Sequence, residues 1–188
     1  MPSFPPFPET LSGDGVALRL AAERDIPEIL IAHQDDPELF RRLRMQRPPS
    51  AAELGRRTET ADTERAVGAR LWLTILAPGS DECRGQLDVP EAELQHGRAD
   101  LQIWIVPGYR RRGLGWAALA VGGRWLIEEA GLERVQLLIE PANAAMRATA
   151  ARAGFKHEGL LRSHWRESRG RADAEVWSLV RRDLVPAP

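Results

Sequence analysis

Apolar and polar positions along the chain recur at two periods, and the period switches mark the elements. Val16, Leu18 and Leu20 alternate with Ala17 and Arg19, the two-residue rhythm of a half-buried strand. Asp25, Ile26 and Pro27 then open a helix with Ile26, Ile29, Leu30 and His33 on neighbouring faces. Pro37 starts a second helical stretch, with Leu39, Phe40 and Leu43 apolar among arginines, that ends before Pro48 and Pro49. Ser50 caps a third helix over residues 51–63, because Glu53 completes a capping box.

From residue 69 to 77 the pattern alternates again, Leu71, Leu73 and Ile75 against Arg70, Trp72 and Thr74. Pro78 and Gly79 turn the chain. Residues 84–89 predict a second strand closed by Pro90, and residues 98–106 a third, so these three read as an antiparallel meander. Helical spacing returns over residues 114–130, with Leu114, Ala118, Val121 and Trp125 on one stripe and Gly131 as the stop signal. Residues 134–140 are a strand whose partner is the 98–106 strand, joined through that crossover helix as a parallel βαβ unit. Asn143 caps a short Ala-rich helix ending at Gly154, Phe155 begins a strand running toward Arg162, and residues 174–184 close the chain as a final strand. Trp165 falls in a loop-like stretch between the last two. The fold class is α/β of the mixed α+β kind.

At 188 residues the chain can bury roughly 70% of the surface its unfolded form exposes. It shows no repeats and no second core. The expected organisation is a Pro-rich arm over residues 1–12 followed by a single domain over residues 13–188. Cys83 is the lone cysteine and no Cys/His cluster has zinc-like spacing, so neither disulfide nor metal is expected and a reducing, cytoplasmic setting is the default. The arm carries Pro2, Pro5, Pro6, Pro8 and Glu9 with no basic residue, unlike a signal peptide, and no apolar run approaches the roughly 20 residues of a membrane span. A net charge of −1 argues against DNA as a partner, which calls for a basic excess. Basic residues must act locally.

They concentrate after a β-branched run. Ile103 to Val106 is stopped by Pro107 and Gly108, and Tyr109, Arg110, Arg111 and Arg112 lead into Gly113, Leu114 and Gly115 at the start of the long helix. The glycines let the backbone turn sharply, the first helical N–H groups stay exposed, and the helix dipole and three arginines converge on one spot. That is an anion cradle suited to a phosphate. Gly113-x-Gly115-x-x-Ala118 with Glu140 also fits a dinucleotide fingerprint, but five residues separate Pro107 from Gly113 where the first glycine should follow the strand at once. A Walker A loop is excluded, since no Lys follows the glycines. A glycine turn with solvated arginines is the remaining alternative.

Arg110-x-x-Gly113-x-Gly115, preceded by the Val106-Pro107 strand end and followed by a helix, a strand, Asn143 and Gly154-Phe155-x-x-Glu158-Gly159, resembles the GCN5-related N-acetyltransferases (GNAT), more narrowly their RimJ/RimL-type branch. The resemblance is specific over residues 98–184 and rests on element order before that. It implies the GNAT fold, a mixed and mostly antiparallel sheet with helices on both faces and two central parallel strands splayed apart. The pantetheine arm of acetyl-CoA would pair with Trp104, Ile105 and Val106, and the pyrophosphate would sit on the N–H groups of Arg111 to Gly115, Leu114 among them, with the Arg110, Arg111 and Arg112 side chains around it. Asn143 would reach the coenzyme while capping its helix. The implied activity is acetylation of a primary amine, a protein N-terminus or a small molecule, by direct attack and without a covalent enzyme intermediate. A coenzyme-A-binding regulator or inactive paralogue, and use of a larger acyl group such as succinyl-CoA, stay open, as does a homodimer.

The chemistry needs a neutral amine, a donor for the developing oxyanion and a proton for the leaving thiolate. The family resembled usually takes that proton from a Tyr in the helix after the Asn, or in its RimL-like branch from a Ser three residues after that Asn. Here the only tyrosine is Tyr109, and the Ser position is Met146, which therefore lines the coenzyme site without supplying an acid. His164, Glu140, Asp100 and Asp88 are the candidate proton handlers, with His164 and Glu140 taken as catalytic. An α-amine, with a pKa of about 7.7 to 8, tolerates a weak base better than a lysine near about 10.4. His33 and the arginines from Arg41 to Arg47 are candidates to line the acceptor cleft, and Trp165 to sit beside it.

Overall fold

The computed structural model describes residues 3–167 and 170–184. The described residues form one eight-stranded sheet from β1 (Leu11–Gly13), β2 (Val16–Leu20), β3 (Leu71–Leu76), β4 (Cys83–Glu93), β5 (Arg98–Ile105), β6 (Arg134–Ile139), β7 (Lys156–Glu167) and β8 (Gly170–Val180). Their order is β1-β2-β3-β4-β5-β6-β8-β7, antiparallel at every pairing except β5 with β6. The helices are α1 (Ile26–Asp35), α2 (Leu39–Arg42), α3 (Ala51–Ala66), α4 (Leu114–Glu128) and α5 (Ala144–Arg152). None of the described helices is long and apolar enough to cross a membrane.

Because side chains alternate across the pleat, the sheet supports a core on each face. Leu18, Leu73, Leu87, Leu101, Val135 and Leu137 pack beneath Ala118, Leu119 and Leu126 of α4. On the opposite face Trp104 and Cys83 join Ile29 and Ala32 of α1, Leu39 of α2 and Leu54 of α3. Each such side chain, fully buried, contributes about 1.5–3 kcal/mol. Phe4 is buried in the larger core and the Phe7 ring lies 4.7 Å from that of Trp125, so the Pro-rich segment is fastened to α4.

Local signals held where the physics is local. Ser50 Oγ accepts from the Glu53 amide at 3.3 Å and Glu53 Oε2 accepts from the Ser50 amide at 2.8 Å, which starts α3 where the capping box predicts. Asp25, ahead of α1, is buried and pins it to the sheet: Arg19 donates to both of its carboxylate oxygens at 2.9 and 2.7 Å, Thr74 Oγ1 at 2.6 Å and the Ala22 amide at 3.0 Å. Burial opposes that carboxylate's charge, yet the Arg19, Thr74 and Ala22 hydrogen bonds outweigh it and leave the pKa below the usual value.

Long-range pairing overruled two expectations and set one placement that had no local signal. The strand expected to stop at Pro90 runs on to Glu93, because the register shifts from Asp88↔Gln102 to Glu91↔Asp100 and the proline, which has no N–H to donate, sits in the bulge. Trp165 is in β7 rather than a loop, paired with Ala172 of β8. β8 slots between β6 and β7, so the last strand borders the parallel pair, a placement no local pattern specifies.

Candidate functional site

β5 and β6 touch at only three pairs, Arg98↔Arg134, Ala99↔Val135 and Asp100↔Gln136. Both strands then continue, to Ile105 and Ile139, without pairing. The separation begins at Leu101, the residue opposite the Val89–Pro90 bulge, where the added twist of β4 carries β5 away. The result is an open edge on β5. Its orientation follows from one bond: the Val106 amide donates to Arg84 O at 2.9 Å. Since N–H and C=O groups alternate sides along a strand, Trp104 and Gln102 also turn their backbone toward β4, and Ile103 and Ile105 turn theirs toward the opening. Of the three residues expected to offer their backbone there, Ile105 faces the opening, as Ile103 does, while Trp104 and Val106 face β4.

The opening leads to the start of α4. Residues Pro107–Tyr109 form a 3-10 turn, Arg111 has φ +62° and Gly113 φ +92°, a conformation that favours glycine. As the N-cap, Gly113 has no side chain to satisfy the first amides, and the first intrahelical bond runs from Ala117 N to Gly113 O at 3.2 Å. The Leu114, Gly115 and Trp116 amides thus face outward at the positive end of a fifteen-residue helix. Gly115 sits where α4 meets α5 and β5: a Cβ there would lie 3.4 Å from Thr149 Cγ2 and 3.8 Å from Ile105 Cγ1. Asn143 Oδ1 accepts from the Met146 amide at 3.0 Å, and the half-buried Met146 side chain packs on the larger core, so both predicted α5 residues stand beside the cradle.

The three arginines divide. Arg111 and Arg112 are exposed, Arg112 lying over the Tyr109 ring at 4.9 Å with Arg84 also over that ring at 4.0 Å. Arg110 turns back instead, donating from Nε to Ile105 O at 3.0 Å and pairing with Asp36, which also holds Arg42. It thereby ties the cradle loop to the end of α1. Trp116 Nε1 is buried without a partner and lies 3.2 Å from where a Gly113 Cβ would be.

On the face covered by α1 and α3, the proton-handling candidates separate. His164 is exposed on β7 with its ring 5.6 Å from Trp165, away from the open edge of β5 in the strand order. Glu140, past the end of β6, is ion-paired with Arg44, which also binds Glu167 at 3.1 Å and stacks 3.7 Å over Trp165. That network spans from the end of α2 to β7 and puts Trp165 at the rim of the opening. Asp100 accepts from Gln136 Nε2 at 2.7 Å at the last β5–β6 pair. Asp88 is different: it is 6% exposed, and burial pushes its carboxyl up to about 7 although the Arg57 charge and the Leu73 amide pull it down. His33 is buried nearby and burial lowers its pKa, with Asp36 raising and Arg57 lowering it. Arg57 and Gln86 are missing from the expectations. The signal for Gln86 was available, a polar residue two positions before Asp88 and flanking the apolar Leu87 on β4; none existed for Arg57, one of several arginines on α3. Cys83 is buried and pushed up to about 12, chiefly by burial. Among the described residues no group of three His, Cys, Asp or Glu could hold a metal ion.

Residues 16–156 match the sequence profile described as acetyltransferase (GNAT) domain. Among solved structures, RimJ of Mycobacterium smegmatis in complex with CoA-disulfide superposes with a TM-score of 0.75 at 23% identity over 92% of this chain and 84% of that one. RimL, described as a ribosomal L7/L12 alpha-N-protein acetyltransferase in complex with coenzyme A, gives 0.77 at 16% identity over 92% and 98%. The microcin C7 self-immunity acetyltransferase MccE in complex with acetyl-CoA and AMP gives 0.76 at 18% identity over 89% and 93%. At these identities the likeness is one of fold.

Proposed function

The chain belongs to the GNAT acetyltransferases, and from that premise we propose that it is an acetyl-CoA-dependent N-acetyltransferase acting on a primary amine, a peptide N-terminus or a small molecule. The observation that carries the reading is the three-pair contact of β5 and β6, which leaves an open strand edge running to unsatisfied helix amides. A pantetheine arm carries amide groups that suit the Ile103 and Ile105 backbone, and a pyrophosphate suits the Leu114 to Trp116 amides with Arg111 and Arg112 beside them. The residues present fit the coenzyme. RimJ, RimL and MccE were each solved with CoA or acetyl-CoA, which supports the same assignment.

Acetyl-CoA, when bound, supplies an acetyl group activated as a thioester. The chain's part is to hold that carbonyl against the β5 edge, where an outward N–H is the oxyanion donor, and to keep the acceptor nitrogen in line with it. Asn143 orders the start of α5 by capping it. Glu140 stands at the acceptor rim, held there by Arg44. Cys83, deep and protonated, leaves direct attack by the amine as the route. A reducing, cytoplasmic setting suits the same lone thiol.

Calorimetric titration with acetyl-CoA, followed by thiol release with an α-amine peptide, a polyamine and an aminoglycoside, tests the reading. Binding with turnover of one acceptor class is expected. Absence of binding at millimolar coenzyme would overturn it. Tight binding with no thiol release across the panel would favour the coenzyme-binding regulator, the reading to which Met146 in place of an acid points. Faster turnover with succinyl-CoA would assign the larger acyl group.

A further inference from the structure

The opening between β5 and β6 is crossed on the face opposite α4. Leu101 packs beneath α4 and Trp104 among the side chains of α1, α2 and α3, so Gln102, which shares its side of the pleat with Trp104, belongs to the α1 face of β5. There Gln102 Nε2 donates to Leu43 O at 3.5 Å, which puts the chain leaving α2 over the near bank of the opening. The next residue, Arg44, reaches the far bank. Its Nη2 pairs with Glu140, the residue after the end of β6, and its Nη1 donates to Glu167 Oε1 of β7 at 3.1 Å, while the guanidinium lies 3.7 Å over the Trp165 ring. The other end of this segment is fastened as well, because Asp36 pairs with both Arg42 and Arg110 of the cradle loop.

This bar stands where a second substrate has to enter. The amides that suit the coenzyme lie at the start of α4, and a nucleophile must reach the thioester carbonyl from the side the coenzyme does not fill. The bar is also open to solvent, with the Arg44, Glu140 and Glu167 side chains 23%, 36% and 48% exposed. Two carboxylates and an indole face around one guanidinium are the partners a soluble cation would seek, through charge-assisted hydrogen bonds and cation–π attraction. Here the chain itself supplies the cation. Two carboxylates against one guanidinium leave a negative charge in excess, so a further cation is drawn to this rim and an anion is repelled. Other arginines of these segments do not cancel it: Arg42 and Arg47 are taken up by Asp36 and Glu53, and Arg166, between Trp165 and Glu167, projects from the opposite face of β7.

We propose that Arg44 is the internal occupant of a cation subsite formed by Glu140, Glu167 and Trp165, and that the enzyme selects acceptors whose reacting amine is accompanied by a second positive charge, which takes the place of the Arg44 guanidinium. The inference rests on the N-acetyltransferase reading and adds the acceptor class to it. The reacting nitrogen enters the opening toward the thioester, and the distal ammonium or guanidinium lies between the two carboxylates over Trp165. Arg44 can leave without unravelling the bar, since its amide is held by Arg41 O at 2.9 Å and the Met45 amide by Phe40 O at 2.8 Å. Only the side chain has to swing into solvent.

The exchange of one cation for another keeps Glu140 and Glu167 paired in both states, so neither carboxylate is left without a partner in the empty enzyme. It also sets a threshold. An acceptor competes with a group tethered to the same chain, whose effective concentration is high because the tether is short. An amine with no second charge leaves Arg44 seated, has to pass the closed bar and gains nothing from the rim. An acceptor ending in a carboxylate meets the excess negative charge.

The test is thiol release by the full chain with acetyl-CoA and three acceptors, putrescine, pentylamine and aminovalerate, which carry an ammonium, a methyl group and a carboxylate at the end of the same tether. kcat/KM is expected to be about tenfold higher for putrescine than for pentylamine and lowest for aminovalerate, with the gap narrowing as salt is raised. Arg44→Gln removes the internal competitor and should lower the putrescine KM about tenfold, whereas removal of a purely structural arginine would not improve acceptor binding. Arg44→Lys keeps a cation in the subsite and should hold the KM near that of the wild type. Glu167→Gln should shrink the putrescine-to-pentylamine ratio severalfold, a readout that stands if the Arg44 variants fold poorly. Equal kcat/KM for putrescine and pentylamine, or a putrescine KM that is unchanged or raised in folded Arg44→Gln, overturns the subsite while leaving the acetyltransferase reading intact. A wild-type protein that binds acetyl-CoA and acetylates no amine overturns both.

Discussion

Replacing Asp88 by Asn should stabilise the protein at neutral and alkaline pH. The folded carboxyl titrates at about 7, against 3.8 for an ordinary aspartate, a rise of about three pH units. At about 1.4 kcal/mol per unit, ionising this group in the fold costs up to ~4 kcal/mol more than ionising it in the unfolded chain. Because the folded pKa is raised, the folded state holds the extra proton between the two values. The wild type therefore keeps its full stability below about pH 4 and loses it as pH climbs through about 7. The asparagine variant carries no such charge. Urea unfolding of both proteins from pH 4 to pH 9 should give a stability difference that grows by about 1.4 kcal/mol per unit and levels off above pH 7, with ~2–4 kcal/mol in favour of the variant once relaxation around the charge is allowed for. Carboxylates with lowered values, such as Glu158 at about 2 through its Arg134 and Ser178 bonds, are common to both proteins and cancel in the difference. A difference that stays constant with pH would refute the argument.

Three further outcomes follow from the geometry. A Cβ on Gly85 would lie 2.1 Å from the Trp104 carbonyl oxygen, so Gly85→Ala should cost about 2–4 kcal/mol in denaturant unfolding and disturb the β4–β5 register beside the site. Arg111→Ala with Arg112→Ala should weaken acetyl-CoA binding about tenfold in calorimetry and flatten its salt dependence, whereas Arg110→Ala, whose guanidinium is already spent on Asp36 and Ile105 O, should act mainly by loosening the loop. Cys83, buried and pushed up to about 12, should react with a thiol-specific chromogenic disulfide only when the protein is unfolded; rapid labelling of the native state would contradict its burial.

The elements and the cradle were legible because their causes are local. A two-residue alternation marks Leu71, Leu73 and Ile75 as one face of a strand whatever surrounds it, Ser50 and Glu53 satisfy each other's amides within one turn, and Gly113 can adopt a positive φ that few other residues would. Parallel pairing of β5 with β6 followed from the crossover helix between them. The direction of individual groups was not legible. Whether an amide faces β4 or the opening depends on register, which one bond from Val106 to Arg84 decides, and the arginine run gave no hint that Arg110 would be captured by Asp36, far off in the chain.

The same division holds for the chemistry. Residue types and spacing alone mark a glycine turn with three arginines at the start of a helix and a strand leading into it, since these depend only on near neighbours. His33, Arg57, Gln86 and Asp88 come from two helices and one strand, and each alone looks like an ordinary surface polar residue. Only the tertiary structure closes α1 and α3 over β4, removes water from Asp88 and sets the Arg57 charge beside it, and it is this desolvation, which no sequence pattern encodes, that pushes the Asp88 carboxyl up to about 7.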